Sequence, residues 1–188
     1  MSSDASGANA RSGALDAGPL GYLALGLTLL AYGLLQSGAL SGTAVGNAAG
    51  LAHLLGGITL FIAGLWQFRS GDTFHGTAFA GLGAFWAAWA AGAGAAAGKN
   101  AAGLFMLLWT LLALTLAAAS WQSGWLGRGV YGLLTVSLLL GAIGTFGSSG
   151  GLVKTAGWVA AVAGLVSWYS ATAALTNSGW GRAALPVK

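Results

Sequence analysis

Residues 104–116 read LFMLLWTLLALTL, and only Thr110 and Thr115 interrupt an otherwise wholly apolar run. A membrane β-strand alternates apolar and polar residues with a period of two. This stretch has no such alternation. An α-helix, in contrast, satisfies its backbone groups within the segment and can be apolar all round. The same reading extends outward in both directions. A helical span needs about 20 mostly apolar residues, and six runs approach or exceed that length: Leu20–Leu40, Val45–Phe68, Phe74–Gly98, Ala101–Ser120, Val130–Phe146 and Gly157–Leu175. The pattern predicts an all-α membrane protein built as a six-transmembrane-helix bundle. Its expected parts are a disordered cytoplasmic tail over 1–18, a transmembrane domain over 19–178 and a short cytoplasmic tail over 179–188.

Composition points the same way. Of 188 residues, 56% are hydrophobic and three are carboxylic acids, with a mean hydropathy of +0.78. That leaves too little polar surface to coat a soluble globule of this size. Cysteine is absent, which excludes disulfides, thiol nucleophiles and thiolate-bound metal. The net charge of +4 is spread over single basic residues, a pattern that argues against nucleic-acid binding and fits the anionic face of a bilayer. Residues 1–16 are small and polar, without the apolar centre of a cleaved signal.

Lys and Arg are unevenly divided among the connections. Arg11, Arg69, Arg128, Arg182 and Lys188 fall on one side, and Lys99 and Lys154 on the other, so both termini are expected in the cytoplasm and the protein in the plasma membrane. Trp66, Trp121, Trp125 and Trp180 lie near span ends, where indoles anchor at the interface. There are 34 glycines, against roughly 7% of residues in ordinary proteins. Small residues let membrane helices approach closely, and Gly38-x-x-x-Gly42, Gly46-x-x-x-Gly50 and Gly94-x-x-x-Gly98 have the spacing for that role.

Chemistry is sparse. No carboxylate falls within a run, no HExxH or phosphate loop occurs, and the two histidines stand 22 positions apart. The chain is therefore expected to be no enzyme and to hold no metal and no cofactor. His53, inside the second run, has two readings: a hydrogen bond to a neighbouring helix, or a pore or proton-relay role. His75 sits at the mouth, where a headgroup contact suffices. Around it, residues 64–86, GLWQFRSGDTFHGTAFAGLGAFW, form a helical hairpin. Arg69 suits a helix end, Gly71 a left-handed closure, and Asp72 or Thr73 a cap. Pro19 suits the first turn of the first helix. The starts at Pro19–Gly21 and Asp72–Phe74 point helix N-termini toward any carboxylate at that face.

Three segments, AGPLGYLALGLTLL (17–30), SGDTFHGTAFAGLGAFW (70–86) and AGWVAAVAGLVSWYSATAALTNSGWGRAALP (156–186), resemble the signature regions of the acetate uptake transporter family, the YaaH/SatP-like proteins and their yeast relatives. The resemblance implies a transporter or channel for acetate and similar small monocarboxylates, succinate among the candidates, with proton coupling an open question. It also implies a homo-hexamer with one pore per protomer. The family's Asn-Pro-Ala-Pro-Leu-Gly-Leu motif corresponds to residues 16–22 and retains Pro19, Leu20 and Gly21. Its constriction of Phe, Tyr and Leu corresponds to Leu25, Leu82 and Leu134. Two glutamates of the family correspond to Gln67 and Ala174. Thr28, Thr77, Thr135, Ser167 and Tyr169 lie in matching segments and offer hydroxyls that can replace a carboxylate's water, although such groups also bond backbone carbonyls. The loss of gate aromatics leaves one alternative, a non-transporting sensor or assembly protein of the same fold.

Overall fold

The computed structural model describes residues 16–40, 42, 44–93 and 97–187; Arg11, Gly94, Lys188 and the tail over 1–15 lie outside them. Among the described residues every regular element is helical. Helix α1, Gly18–Ser37, begins with Pro19 in its first turn and stops at Gly38, whose φ of 77° turns the chain out of the helix. Helix α2, Val45–Arg69, changes winding along its length: a 3-10 turn to Ala48, a wide π stretch over Ala52–Thr59, and regular α-helix over Leu60–Arg69. Gly71, with φ of 85°, then reverses the chain into α3, Thr73–Ala88. Its N-cap Asp72 accepts a hydrogen bond from the His75 backbone N–H. The remaining helices are α4, Lys99–Ala119; α5, Gly124–Phe146; and α6, Gly150–Trp180.

Helices α1, α2, α4, α5 and α6 are each long and apolar enough to cross a membrane. Helix α3 is the exception. Its 16 α-helical residues pass at Trp89 into a π turn that kinks at Gly92, where φ is 111°, so the Ala/Gly-rich segment expected to complete the third run leaves regular helix early. The last two helices are longer than their apolar runs. Ser149 caps α6 by accepting from the Leu152 N–H, and the polar turn before Gly157 thereby becomes helical.

The deepest packing joins α1 to α6. A Cβ on Gly26 would stand 2.7 Å from the Trp168 nitrogen, and one on Gly33 would stand 2.5 Å from that of Ala161; Gly157 and Gly164 meet the α1 backbone just as closely. The two glycine pairs, 26 with 33 and 157 with 164, recur at seven residues, two helical turns, and so stay on one face. Helices α2 and α3 use the same device: Gly64 lies against the Ala80 backbone and Gly83 against that of Phe61. The described glycines of the expected GxxxG pairs make no such contact within the protomer, and Gly94 lies outside the described residues. Nothing lies within 4 Å of a Cβ on Gly42, Gly46, Gly50 or Gly98, and Gly38 meets only the Lys154 side chain. Those glycines sit in connections and on exposed helix starts, where sequence spacing says nothing about a facing backbone.

Small residues fill much of the interior, including Ala24, Ala63, Ala78, Ala113, Ala160 and Ala163, while Leu108, Leu111, Leu114, Trp158 and Leu165 are exposed on the outside. Hydrocarbon solvates leucine as well as a protein core does, so close backbone packing governs which residues turn inward.

Replacing Gly33 by Leu forces α1 off α6, and such overpacking costs about 1–3 kcal/mol or more. The expected result is a clear fall in the thermal unfolding midpoint in detergent. Gly46→Leu, which fills open space, leaves the midpoint of the isolated protomer unchanged.

Candidate functional site

The polar chemistry gathers at one end of the bundle, where α1, α3 and α5 begin and α2 and α6 end. These five ends surround a cavity of about 280 Å³, lined among others by Asp16, Pro19, Tyr22, Gln67, Asp72, His75, Ser170 and Ala174. Pockets for drug-sized ligands run from roughly 300 to 1,000 Å³. This one suits a smaller guest.

Two carboxylates organise its walls. Asp16 Oδ1 accepts from the Gly18 N–H and from Gln67 Nε2, each at 2.8 Å, and so ties the start of α1 to the end of α2. The Gln67 side chain is buried, and its Oε1 accepts from the Ser70 hydroxyl at 3.0 Å. Asp72 Oδ1 accepts from the His75 backbone at 2.9 Å, and its Oδ2 stands 2.6 Å from His75 Nδ1. Partial burial pushes the Asp72 carboxyl up, but the hydrogen bonds from the backbone and ring of His75, with the electrostatic attraction of that ring, prevail and hold it below the usual value.

From His75 the contacts run inward. Its Nε2 lies 3.1 Å from the Tyr22 hydroxyl on α1, and the Tyr22 ring packs edge-on to those of His75 and Phe79. The Tyr22 hydroxyl faces that of Tyr131 on α5. Tyr131 is fully buried, and its hydroxyl makes no well-formed hydrogen bond, the one buried side-chain polar atom without a partner among the described residues. One turn further along α5 stands Leu134.

Leu25, Leu82 and Leu134 are all buried, at most 2% exposed, and belong to one core cluster with Phe79, Val130 and Tyr131. Of the motif residues, Pro19 lines the cavity, Gly21 is buried where the Phe79 ring leaves no space for a side chain, and Leu20 faces outward. The hydroxyls are largely engaged. Thr28 donates to the Ala24 carbonyl and Thr135 to that of Tyr131, both at 2.8 Å, while Ser167 bridges α6 to α1 by donating to the Tyr22 carbonyl at 2.8 Å. Tyr169 donates to the Pro186 carbonyl at 3.0 Å, and Asn177 accepts from the Ala184 and Leu185 N–H groups. The chain after α6 therefore folds back, and Val187 reaches the cavity rim. Thr77 and His53 lie apart from this site, exposed on the outer faces of α3 and α2. No metal-binding cluster of His, Asp and Glu occurs among the described residues.

Sequence reasoning missed Tyr22, Tyr131 and Asp16 as site residues. The available signal was local: Asp72-x-x-His75 puts an acid and a base on one helix face, and Tyr131 precedes Leu134 by one turn.

Residues 6–186 match the GPR1/FUN34/yaaH family. The glyoxylate pathway regulator of Yarrowia lipolytica is 30% identical over 172 residues, covering 86% of this chain, which spans 64% of that protein's length. The succinate-acetate/proton symporter SatP of Escherichia coli is 28% identical over 176 residues, covering 90% of this chain and 93% of its own length. The solved structure of the bacterial acetate channel SatP superposes with a TM-score of 0.85 at 27% identity, covering 93% of this chain and 99% of that one.

Asp72 yields a prediction with a sign. Because the fold lowers its carboxyl, its contribution to stability is complete above the ordinary value of 3.8 and is lost as pH falls through the lower folded value. Asp72→Asn keeps the cap but loses this acid dependence, whereas Asp72→Ala loses the cap as well, at about 1 kcal/mol at neutral pH. Unfolding midpoints in detergent across the acid range check both.

Proposed function

As the chain belongs to the GPR1/FUN34/yaaH family, we propose that it carries acetate and similar small monocarboxylates across a membrane. Each protomer is read as a six-span bundle with its own path, α3 and its π extension forming the span beyond the five long helices. One observation carries this reading: a polar cavity built from helix ends and two carboxylates is walled by Tyr22, which on its other side packs against the buried apolar cluster holding Leu25, Leu82 and Leu134. A mouth backed by an apolar constriction suits a small acid with a methyl end. An apolar gap disfavours water and hydrated ions, and the helix starts beside it are closed by the Asp16 and Asp72 carboxylates, which take the Gly18 and His75 N–H groups. Transport is favoured over a non-transporting sensor because this layout accompanies likeness to proteins named as a symporter and a channel.

The finer reading follows the same lines. Leu25, Leu82 and Leu134 form the gate, and Pro19 and Gly21 shape the entry. Thr28, Thr135 and Ser167 keep free lone pairs but direct their hydrogens to carbonyls, which suits them to water or to a protonated acid. The uneven Lys and Arg distribution supports a cytoplasmic cavity and cytoplasmic termini, in the plasma membrane. The exposed apolar exterior, with open glycines at Gly46 and Gly50, accommodates neighbouring copies in a homo-hexamer.

Labelled acetate uptake into liposomes holding the purified protein tests the function, and absence of uptake defeats it. Leu134→Ala widens the gate and raises succinate flux relative to acetate several-fold, whereas Leu82→Tyr shifts the ratio back toward acetate. An unchanged flux ratio in both variants removes these leucines from the gate.

Reporters fused at Lys99 and after Lys188 label opposite sides of the membrane. Labelling on the same side defeats the six-span arrangement.

A further inference from the structure

One residue lining the cavity does not belong to a helix end. Asp16, Asp72 and Ser123 each stand within two residues of the helix they precede, whereas Val187 lies seven residues past the end of α6. We propose that residues 181–187 are a strap: fastened to Asn177 and Tyr169 it covers the cavity mouth, and released from them it admits small solutes. The proposal concerns access to the cavity and rests on the transport reading only for the identity of the solute.

The local sequence sets up the return of the chain. Gly181 takes the left-handed conformation, φ 61°, that ends α6. The Arg182 carbonyl then accepts from the Ala184 N–H at 2.9 Å, a tight three-residue turn. Asn177 holds the returning backbone with both ends of its amide. Its Oδ1 accepts from the Ala184 and Leu185 N–H groups, each at 2.8 Å, and its Nδ2 donates to the Leu185 carbonyl at 2.9 Å. Tyr169 donates to the Pro186 carbonyl at 3.0 Å, and Trp125 at the start of α5 flanks its ring, with centroids 6.3 Å apart. A helix rises 1.5 Å per residue, so the two fastenings stand about 12 Å apart along α6. Ser170 and Ala174, which line the cavity, fall between them in sequence. Pro186 favours an extended Leu185, the shape a chain needs to run back along a helix.

The fastening fixes a path but is light. All four bonds go to backbone atoms of the strap, and of residues 181–187 only Leu185 is partly buried. A segment held by exposed hydrogen bonds and few apolar contacts opens far more readily than the fold as a whole. The helix ends around it are tied to one another, Asp16 to Gln67 and His75 to Tyr22. Val187 brings methyl groups and no polar side chain, so the strap narrows the mouth without offering a polar solute a partner.

The chain has no cysteine, so a single one placed at Ala174 reports on the cavity. Full-length protein in detergent is treated with the small anionic thiol reagent methanethiosulfonate ethylsulfonate, and the rate of modification is read by mass spectrometry. Asn177→Ala is expected to speed modification of Ala174→Cys about five- to tenfold, and Tyr169→Phe, which loses one bond and keeps the ring beside Trp125, about two- to threefold. Ser137→Cys, a near-isosteric change buried between α5 and α6, stays protected in each background. An unchanged rate at Ala174→Cys in the Asn177→Ala protein, or an equal acceleration at Ser137→Cys, overturns the strap. Labelled acetate uptake by liposomes holding Asn177→Ala or the unaltered chain separates the two readings. Faster modification without uptake supports the strap and removes transport; uptake with unchanged modification removes the strap and leaves transport standing.

Discussion

The arrangement depends on two helices from opposite ends of the chain touching backbone to backbone. At Gly26, Gly33, Gly157 and Gly164 there is no room for even a methyl group between α1 and α6. In a bilayer, apolar side chains gain nothing by leaving lipid for one another, so association rests on van der Waals contact and interhelical hydrogen bonds, and both require this proximity. The Ser167 hydroxyl reaches the Tyr22 carbonyl only because the helices are this close. That bond lies in the same turn of α1 that carries the Tyr22 ring to His75. The contact that closes the bundle thus also sets the floor of the cavity.

Above that floor, the helix ends are joined by charge and caps. Asp16 and Asp72 each begin a helix and each also bind a side chain from another part of the chain or the next turn, Gln67 in one case and His75 in the other. A carboxylate used this way serves two purposes. It satisfies N–H groups that a helix start leaves open, and it fixes a negative charge at a defined place on the rim. Gln67 and Ala174 line the same cavity. The acids on this rim sit on the caps rather than on the helix bodies.

Much of the fold was legible in the sequence, for a physical reason. Length and hydropathy respond to hydrocarbon, and hydrocarbon imposes helices; hence the all-helical membrane class followed from runs such as 104–116, and the three signature segments indicated the family that the whole-chain match shows. Helix ends were less legible. Hydropathy registers α6 only from its apolar part, whereas the Ser149 cap starts it at Gly150, seven residues before Gly157. The π stretch of α2 and the kink at Gly92 had no signature beyond glycine itself. Nor did the GxxxG pattern identify the working glycines, because spacing along one helix carries no information about the helix opposite. The effective spacing was seven, on α1 and on α6, and it means something only once those helices are known to pair.

The site was legible in proportion to how local its parts are. Asp72 as a cap, and its proximity to His75, follow from three residues of sequence. Tyr22 and Tyr131 stand 109 positions apart and meet through the folding of α1, α3 and α5 around one cavity, a contact that no pattern within a segment encodes. His53 shows the converse. Its place within an apolar run marked it as costly and therefore interesting, yet it is exposed on the outer face of α2, while the histidine at the mouth is linked to an acid and a phenol. A histidine's use is decided by what faces its two ring nitrogens. His75 has an acceptor at one and a hydroxyl at the other, so its ring joins the cap of α3 to the first turns of α1.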